Sequence, residues 1–473
     1  MSKKVSGLLT TLLFLTIAIF LSSLWRRIIH IDDVWLAEYS YWLNKLGYVK
    51  SEAMRGFYSA ESKLFVYHKL LAIEGAWLIH WFGFKPYVLK SLSLVYLAGS
   101  LVLLSKIYRR YAPQRTGTVL LITLFLSFFH TMNLSFTFRP EMHLVFWGLL
   151  NFWYLDKYLD TNKPTMLLLS GFFTGVGIAT HLNGVVFAGA SVLTLWIQRR
   201  WWPGFILGIV ATWGLIFFFA YDTRSLDDLQ LLFAQLTNWR DVATGKYGWE
   251  SLFRIFTEQG RYLHSPPEML YTLMLLLLLI PSRKYLIHQQ KRVLYYLGLL
   301  FVCVAQITHG QNTNYLMYCL PFFILLATWS FEKLLSEKRP LLAWTSVGIF
   351  VVGSWVYNLA HFNQREDMLP EFQKVSLFLP EGAKVLAPHY LIFPAIDKLR
   401  IQSFITYRDK VENKVLEQNA PALFKEAIQF DIEYVVVDKS NREFFHIVDD
   451  EYAPFQMLAE QPSAKFKIYK RTF

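Results

Sequence analysis

The chain has 473 residues, 54% of them hydrophobic and 17% aromatic, while only 17% are charged, against about a quarter in an ordinary soluble protein. The apolar residues are gathered into runs of near bilayer length, which excludes a soluble globular enzyme and indicates a polytopic α-helical membrane protein. The formal net charge of +12 collects at the ends of those runs, where lipid headgroups and topology account for it, so membrane lipids are expected partners and nucleic acid is not.

Lys3 and Lys4 precede an apolar run from Val5 to Leu24, and the stretch FLSSLWRRIIH that closes it is bulky and basic, unlike a cleavage site for a signal peptide. It reads as an uncleaved first transmembrane helix. Hydropathy places further spans at 86–105, 118–134, 141–156, 165–181, 184–198, 203–221, 267–281, 293–308, 314–331 and 341–360, about eleven transmembrane helices in all. Loops with Lys106, Arg109, Arg110 and Arg115, with Lys157 and Lys163, with Arg199 and Arg200, with Arg283, Lys284, Lys291 and Arg292, and with Lys333, Lys338 and Arg339 alternate with short loops that contain only Arg139. The positive-inside rule then puts the N-terminus in the cytoplasm of a multi-pass protein of a bacterial inner or plasma membrane. Segments 25–85 and 222–266 and everything after about 361 fall on the outer side.

The first outer segment opens with HIDDVWLAE (30–38). Trp35, Tyr39, Trp42 and Leu46 recur at helical spacing, the pattern of an amphipathic helix anchored in the headgroup layer. One aspartate suffices to cap such a helix. A second carboxylate beside it, near apolar surface and like charge, suits a general base, so Asp32 and Asp33 are the candidate catalytic pair.

Farther on, Cys303 and Cys319 lie inside apolar runs and read as buried hydrophobes. From His361 the composition changes. Short apolar strands in AKVLAP (383–388) and IEYVVVD (432–438) flank the helix-like PALFKEAIQF, which predicts a small α/β domain over 361–473 following a transmembrane unit over 1–360.

The acidic pair after a first helix, followed by FTFRPEMHLVFWGLLNFWYL (136–155), GVGIATHLNG (175–184) and NTNYLMYCLPFFILLA (312–327), resembles the GT-C glycosyltransferases. The resemblance is strongest to the branch with the protein O-mannosyltransferases and the lipid A aminoarabinose transferase, and it runs over about residues 5–330 in segment order. It implies an enzyme that takes a sugar from a polyprenyl-phosphate carrier, with a first-loop carboxylate as catalyst. That branch often has Asp-Glu where this chain has Asp32-Asp33, so either could be the base; position favours Asp32.

Other candidates each have a plainer reading. Arg139 and Glu141 in RPE could hold a phosphate and orient an acceptor, or form a structural pair beside Pro140. On the resemblance, Glu61 and Lys63 in GFYSAESKL line the donor site, Glu61 at an acceptor or metal and Lys63 at the donor phosphate; alternatively they belong to a solvated loop. Arg261 is a candidate lipid-phosphate ligand. His264 is a weak partner for Glu61 on a divalent metal ion, or an interfacial histidine. His181 and Tyr315 lie at span ends where they could line a cavity, although a histidine in such a turn more often caps backbone, and Gly184 reads as a residue of backbone geometry.

The resulting expectation is an inverting displacement at the anomeric carbon, with an acceptor hydroxyl of a glycan, lipid or protein. The rival is a lipid or solute transporter, which would also be polytopic with acidic residues at the membrane edge. A subunit that binds lipid without catalysing is a further alternative.

Overall fold

The computed structural model describes residues 3–112, 115–238, 253–308, 312–364 and 366–472. Residues 239–252 of the second predicted outer segment, and most of the loop 309–313, lie outside the described residues. Every apolar run identified in the sequence is helical. Proline opens four of the long helices, at Pro86, Pro164, Pro266 and Pro340, where its missing N–H costs no hydrogen bond and its fixed φ suits the first turn.

Among the described residues, six helices are long and apolar enough to cross a membrane: Val5–Leu24, Pro86–Tyr111, Trp201–Ala220, Pro266–Gln289, Thr313–Ser336 and Pro340–Asn363. Thr116–Ser127, Pro164–Thr180 and Leu182–Ile197 are apolar but shorter. The predicted span 118–134 is two helices, Arg115–Ser127 and Phe129–Leu134, with Phe128 in extended backbone between them. The chain is thus an integral membrane protein whose apolar helices differ more in length than hydropathy alone suggests.

The helices run alternately, so their ends meet in two groups. At one end Lys90 Nζ donates to the backbone oxygens of Arg27 (2.7 Å) and Ile28 (3.1 Å). At the other, buried Asp156 of helix Glu141–Thr161 binds Arg110 Nε at 2.8 Å and Arg292 Nη1 at 3.3 Å, tying three helices together. A buried carboxylate with two guanidiniums and the Tyr111 hydroxyl has its desolvation offset by charge-assisted hydrogen bonds.

The α/β part is a six-stranded sheet, β1 (Lys384–Ala387), β2 (Arg400–Ser403), β3 (Tyr434–Val437), β4 (Glu451–Tyr452), β5 (Phe455–Met457) and β6 (Lys467–Arg471), in the order β2-β1-β3-β6-β5-β4. β1 pairs in parallel with β2 and β3, and the remaining pairs are antiparallel. Strand alternation sends Leu386, Val435, Val437 and Tyr469 to one face, under helices Phe404–Glu412 and Ala420–Gln429. Val385, Ala387, Ile401, Val436 and Ile468 go to the other face, and there they share one hydrophobic core with Val34, Leu36, Tyr39, Leu64 and Leu71 of the first loop segment. Backbone contacts reinforce this union: Ser403 N–H and Thr406 Oγ1 both donate to Ala53 O at 3.0 Å.

That shared core corrects the expected role of the helix Ile31–Leu46. Val34, Ala37, Tyr39, Tyr41 and Leu43 are buried, and the Trp35 ring meets His389 of the α/β part edge-on at 6.2 Å. It is a central packing element between helix Lys69–Phe82 and the sheet, because the sheet's second face needs an apolar cover and this helix supplies it.

Glu38, on the same helix, is buried and accepts hydrogen bonds from Ser51 Oγ (2.7 Å), Glu52 N (2.8 Å), Ala53 N (3.2 Å) and Trp42 Nε1 (3.2 Å), which fold the following loop against it. Burial pushes its carboxyl from 4.5 up to about 7 against the lowering effect of those donors. A carboxyl with a raised folded-state pKa binds its proton more tightly folded than unfolded. Its contribution to stability is therefore largest at acid pH and declines as pH rises through that window, by on the order of 3 kcal/mol. Glu38→Gln is expected to flatten the pH dependence of the unfolding midpoint between about pH 5 and 8. Thermal denaturation in detergent at several pH values checks this, and an unaltered slope refutes it.

Candidate active site

His30 caps helix Ile31–Leu46, its Nδ1 accepting from Asp32 N at 3.2 Å. Asp33 completes the cap. Its Oδ2 accepts from His30 N at 2.7 Å, and its Oδ1 accepts from the backbone N–H of Phe138, just before the RPE turn. Asp33 is fully buried, and burial raises its carboxyl pKa against the opposing effects of Lys90 and the two backbone donors.

Asp32 is left facing a cavity of about 330 Å³, lined also by Trp35, Tyr39, Tyr67, His68, Arg139, Glu141, His181 and Tyr315. The adjacent aspartates therefore have separate functions: one builds the helix entry, and its neighbour is presented to the cavity.

Arg139 lies between two carboxylates. It forms a salt bridge to Asp32 through Nη1, and it binds Glu141 through Nη2 (2.5 Å to Oε1) and Nε (3.0 Å to Oε2). Pro140 sets Glu141 in the first turn of its helix, so the guanidinium is gripped from its own chain segment and projects its remaining edge at Asp32. Side-chain exposure falls from 17% at Asp32 and 16% at Arg139 to 2% at Glu141. Burial opposes the charge on Arg139, but the Glu141 carboxylate outweighs it and the guanidinium pKa is raised. The structural pair expected of RPE forms, and both of its members line the cavity.

The cavity's other wall is a stacked pair of imidazoles, His68 and His181, with centroids 4.4 Å apart and planes at 25°. Burial lowers His68 to about 4, so it is neutral at physiological pH. His181 Nδ1 accepts from Asn183 N at 2.9 Å, so the capping role expected of it is present while its ring lines the cavity. Gly184 is required by close approach: a Cβ there would sit 2.5 Å from the carbonyl carbon of Gly177.

Other predicted residues are outside the cavity lining. Arg261 is buried, bonded to Glu258 Oε1 at 3.2 Å and Thr308 Oγ1 at 3.1 Å, and it supports Tyr315 from behind with its guanidinium 5.5 Å from the ring centre. Lys63 binds Asp228 at 2.9 Å and the backbone oxygen of Asp222 at 3.0 Å, a clamp between the first loop and helix Leu226–Asn238. Glu61 accepts from Gly56 N at 3.1 Å, and His264 is exposed. Among the described residues no hydrogen bond or ion pair joins Glu61 to His264, and no three His, Cys, Asp or Glu side chains converge.

Sequence reasoning missed His68 and its neighbour Lys69. Lys69 is buried, paired with Asp222 Oδ2 at 2.6 Å, and 3.9 Å from the centre of the Tyr67 ring. Burial lowers its ammonium pKa to about 8 despite Asp222. The signal was present in FVYHKLLAI: a cation inside an apolar stretch requires a distant counter-ion.

No protein-family model matches the chain, and no curated protein matches it in sequence. Solved structures do match in fold. ArnT from Cupriavidus metallidurans, bound to undecaprenyl phosphate, superposes with a TM-score of 0.67 at 12% identity over 98% of both chains. Its apo form gives 0.60 at 12% identity, over 98% of this chain and 97% of that one. The oligosaccharyltransferase of Archaeoglobus fulgidus, in complex with Zn and sulfate, gives 0.60 at 11% identity over 91% of this chain and 67% of its own. The likeness extends through the α/β part as well as the helices, and the chain has the GT-C fold that these proteins share.

Proposed function

We propose that the protein is a membrane glycosyltransferase that moves a sugar from a polyprenyl-phosphate carrier to an acceptor hydroxyl at the outer face of the membrane. The observation that carries this reading is the Asp32 carboxylate, which lines the cavity and is held by a guanidinium that Glu141 fixes in turn. The fold shared with ArnT, solved with undecaprenyl phosphate, and with the archaeal oligosaccharyltransferase AglB from Archaeoglobus fulgidus, solved with an inhibitory peptide and a dolichol-phosphate, supports a lipid-phosphate ligand here. On this reading about eleven helices cross the bilayer, the N-terminus is cytoplasmic, and the basic end of the bundle lies in the cytoplasm.

In the proposed step Asp32 accepts the proton of the acceptor hydroxyl as its oxygen bonds to the anomeric carbon. The bond from that carbon to the phosphate oxygen breaks, its electron pair leaving with the polyprenyl phosphate. A single displacement inverts the anomeric configuration. Of the three cations considered for the departing phosphate, Arg139 is the one that lines the cavity, while Arg261 acts through Tyr315 and Lys63 through the loop clamp. The neutral His68–His181 pair offers a flat, desolvated surface for a sugar ring. Glu61, His264 and a metal have no assigned part in these steps.

Purified protein in proteoliposomes, supplied with a radiolabelled polyprenyl-phosphate sugar and extracts of envelope glycan, lipid or protein, is expected to yield a labelled product with inverted anomeric configuration by NMR. Movement of the label across the bilayer with its bond to phosphate intact would instead establish a transporter.

A further inference from the structure

The basic end of the bundle, away from Asp32, holds a larger cleft of about 960 Å³. Its walls are the last turns of helices Pro266–Gln289 and Leu316–Ser336 and the turn that follows, which contribute Arg283, Lys284, Lys333 and Arg339. A single carboxylate lines it, Glu337, and that one is taken by Lys333 at 3.2 Å. Arg283, Lys284 and Arg339 are exposed, and no carboxylate among the described residues pairs with them. This contrasts with Arg110 and Arg292 at the same end, both neutralised by Asp156 and Asp160.

Three unpaired cations around a concavity suit an anion with several oxygens, and guanidinium groups bind phosphate in a bidentate manner. Two features select a lipid over a free anion. The cleft opens between two helices able to span a membrane, so it lies at the headgroup layer. Ile280, which lines it, and Leu276 one turn deeper on the same helix are 53% and 51% exposed, apolar surface that an acyl chain can cover and a soluble ion cannot.

We propose that this cleft binds the headgroup phosphate of an anionic phospholipid, with the acyl chains running along Ile280 and Leu276. None of its residues lines the Asp32 cavity, so lipid binding here is separable from sugar transfer.

The test is native mass spectrometry of the full-length protein in detergent, titrated with phosphatidylglycerol, phosphatidylcholine or inorganic phosphate. Phosphatidylglycerol is expected to bind in preference to phosphatidylcholine. The triple variant Arg283→Gln, Lys284→Gln, Arg339→Gln should bind it about a hundredfold more weakly, and Lys284→Gln alone about fivefold more weakly. A control that removes the exposed cations Lys106, Lys163 and Arg199 from the same end should bind as the parent does. Equal binding by parent and cleft variant, or equal loss in the cleft and control variants, overturns the proposal. Displacement of phosphatidylglycerol by an equal concentration of inorganic phosphate would overturn the lipid assignment in favour of a soluble anion.

Discussion

Asp32→Asn is expected to lower the rate of sugar transfer by about a hundredfold to ten-thousandfold, the usual cost of removing a general base. The substitution keeps the size and shape of the side chain but removes its ability to take a proton. The fold should survive it. Asp33, not Asp32, carries the two backbone hydrogen bonds, and Arg139 keeps Glu141 as a partner after its bond to position 32 weakens. Asp32 is also partly exposed, so loss of its ion pair releases rather than traps charge. The informative measurement is single-turnover transfer beside donor affinity: the rate falls while donor binding stays within a few-fold. If the Asn variant transfers sugar at the parent rate, Asp32 is not the base.

Asp33→Ala should act on stability instead, by about 3 to 5 kcal/mol. Removing this carboxylate strands the N–H groups of His30 and Phe138, each costing about 1 to 3 kcal/mol when buried without an acceptor, and it deletes a helix cap. The same change detaches the RPE turn from the helix that bears Asp32, so the unfolding midpoint in denaturant should drop markedly. Molecules that remain folded should retain far more transfer activity than Asp32→Asn does. A variant at position 33 with unchanged stability and no activity would reverse the two assignments.

The contrast between these neighbours also separates what could be read locally from what could not. Residue type and spacing identified the acidic pair, the RPE turn, THLNG and Tyr315, and the folded chain brings Asp32, Arg139, Glu141, His181 and Tyr315 to one cavity. Lys63 and Glu61, singled out on the family resemblance, and Arg261 and His264, singled out by residue type, lie outside its lining, because charged residues in loops serve ion pairs and turns as readily as ligands. The stripe Trp35, Tyr39, Trp42 looked like a membrane anchor. An apolar helical face is the same whether lipid or a sheet covers it, and here the cover is β1, β2 and β6, encoded more than 340 residues later, as the Arg55–Gln402 contact at a separation of 347 illustrates.

Apolar run length, charge at the run ends and strand alternation are properties of neighbouring residues. The sequence by itself therefore determined a polytopic helical bundle with a terminal α/β part and an acidic pair beside the first helix. Which aspartate is free for chemistry was decided only in three dimensions. The donor that occupies Asp33 is a backbone N–H 105 residues away, and the cation that holds Asp32 comes from the next residue along. A hydrogen bond depends on distance in space, and local pattern carries no record of which remote group will arrive.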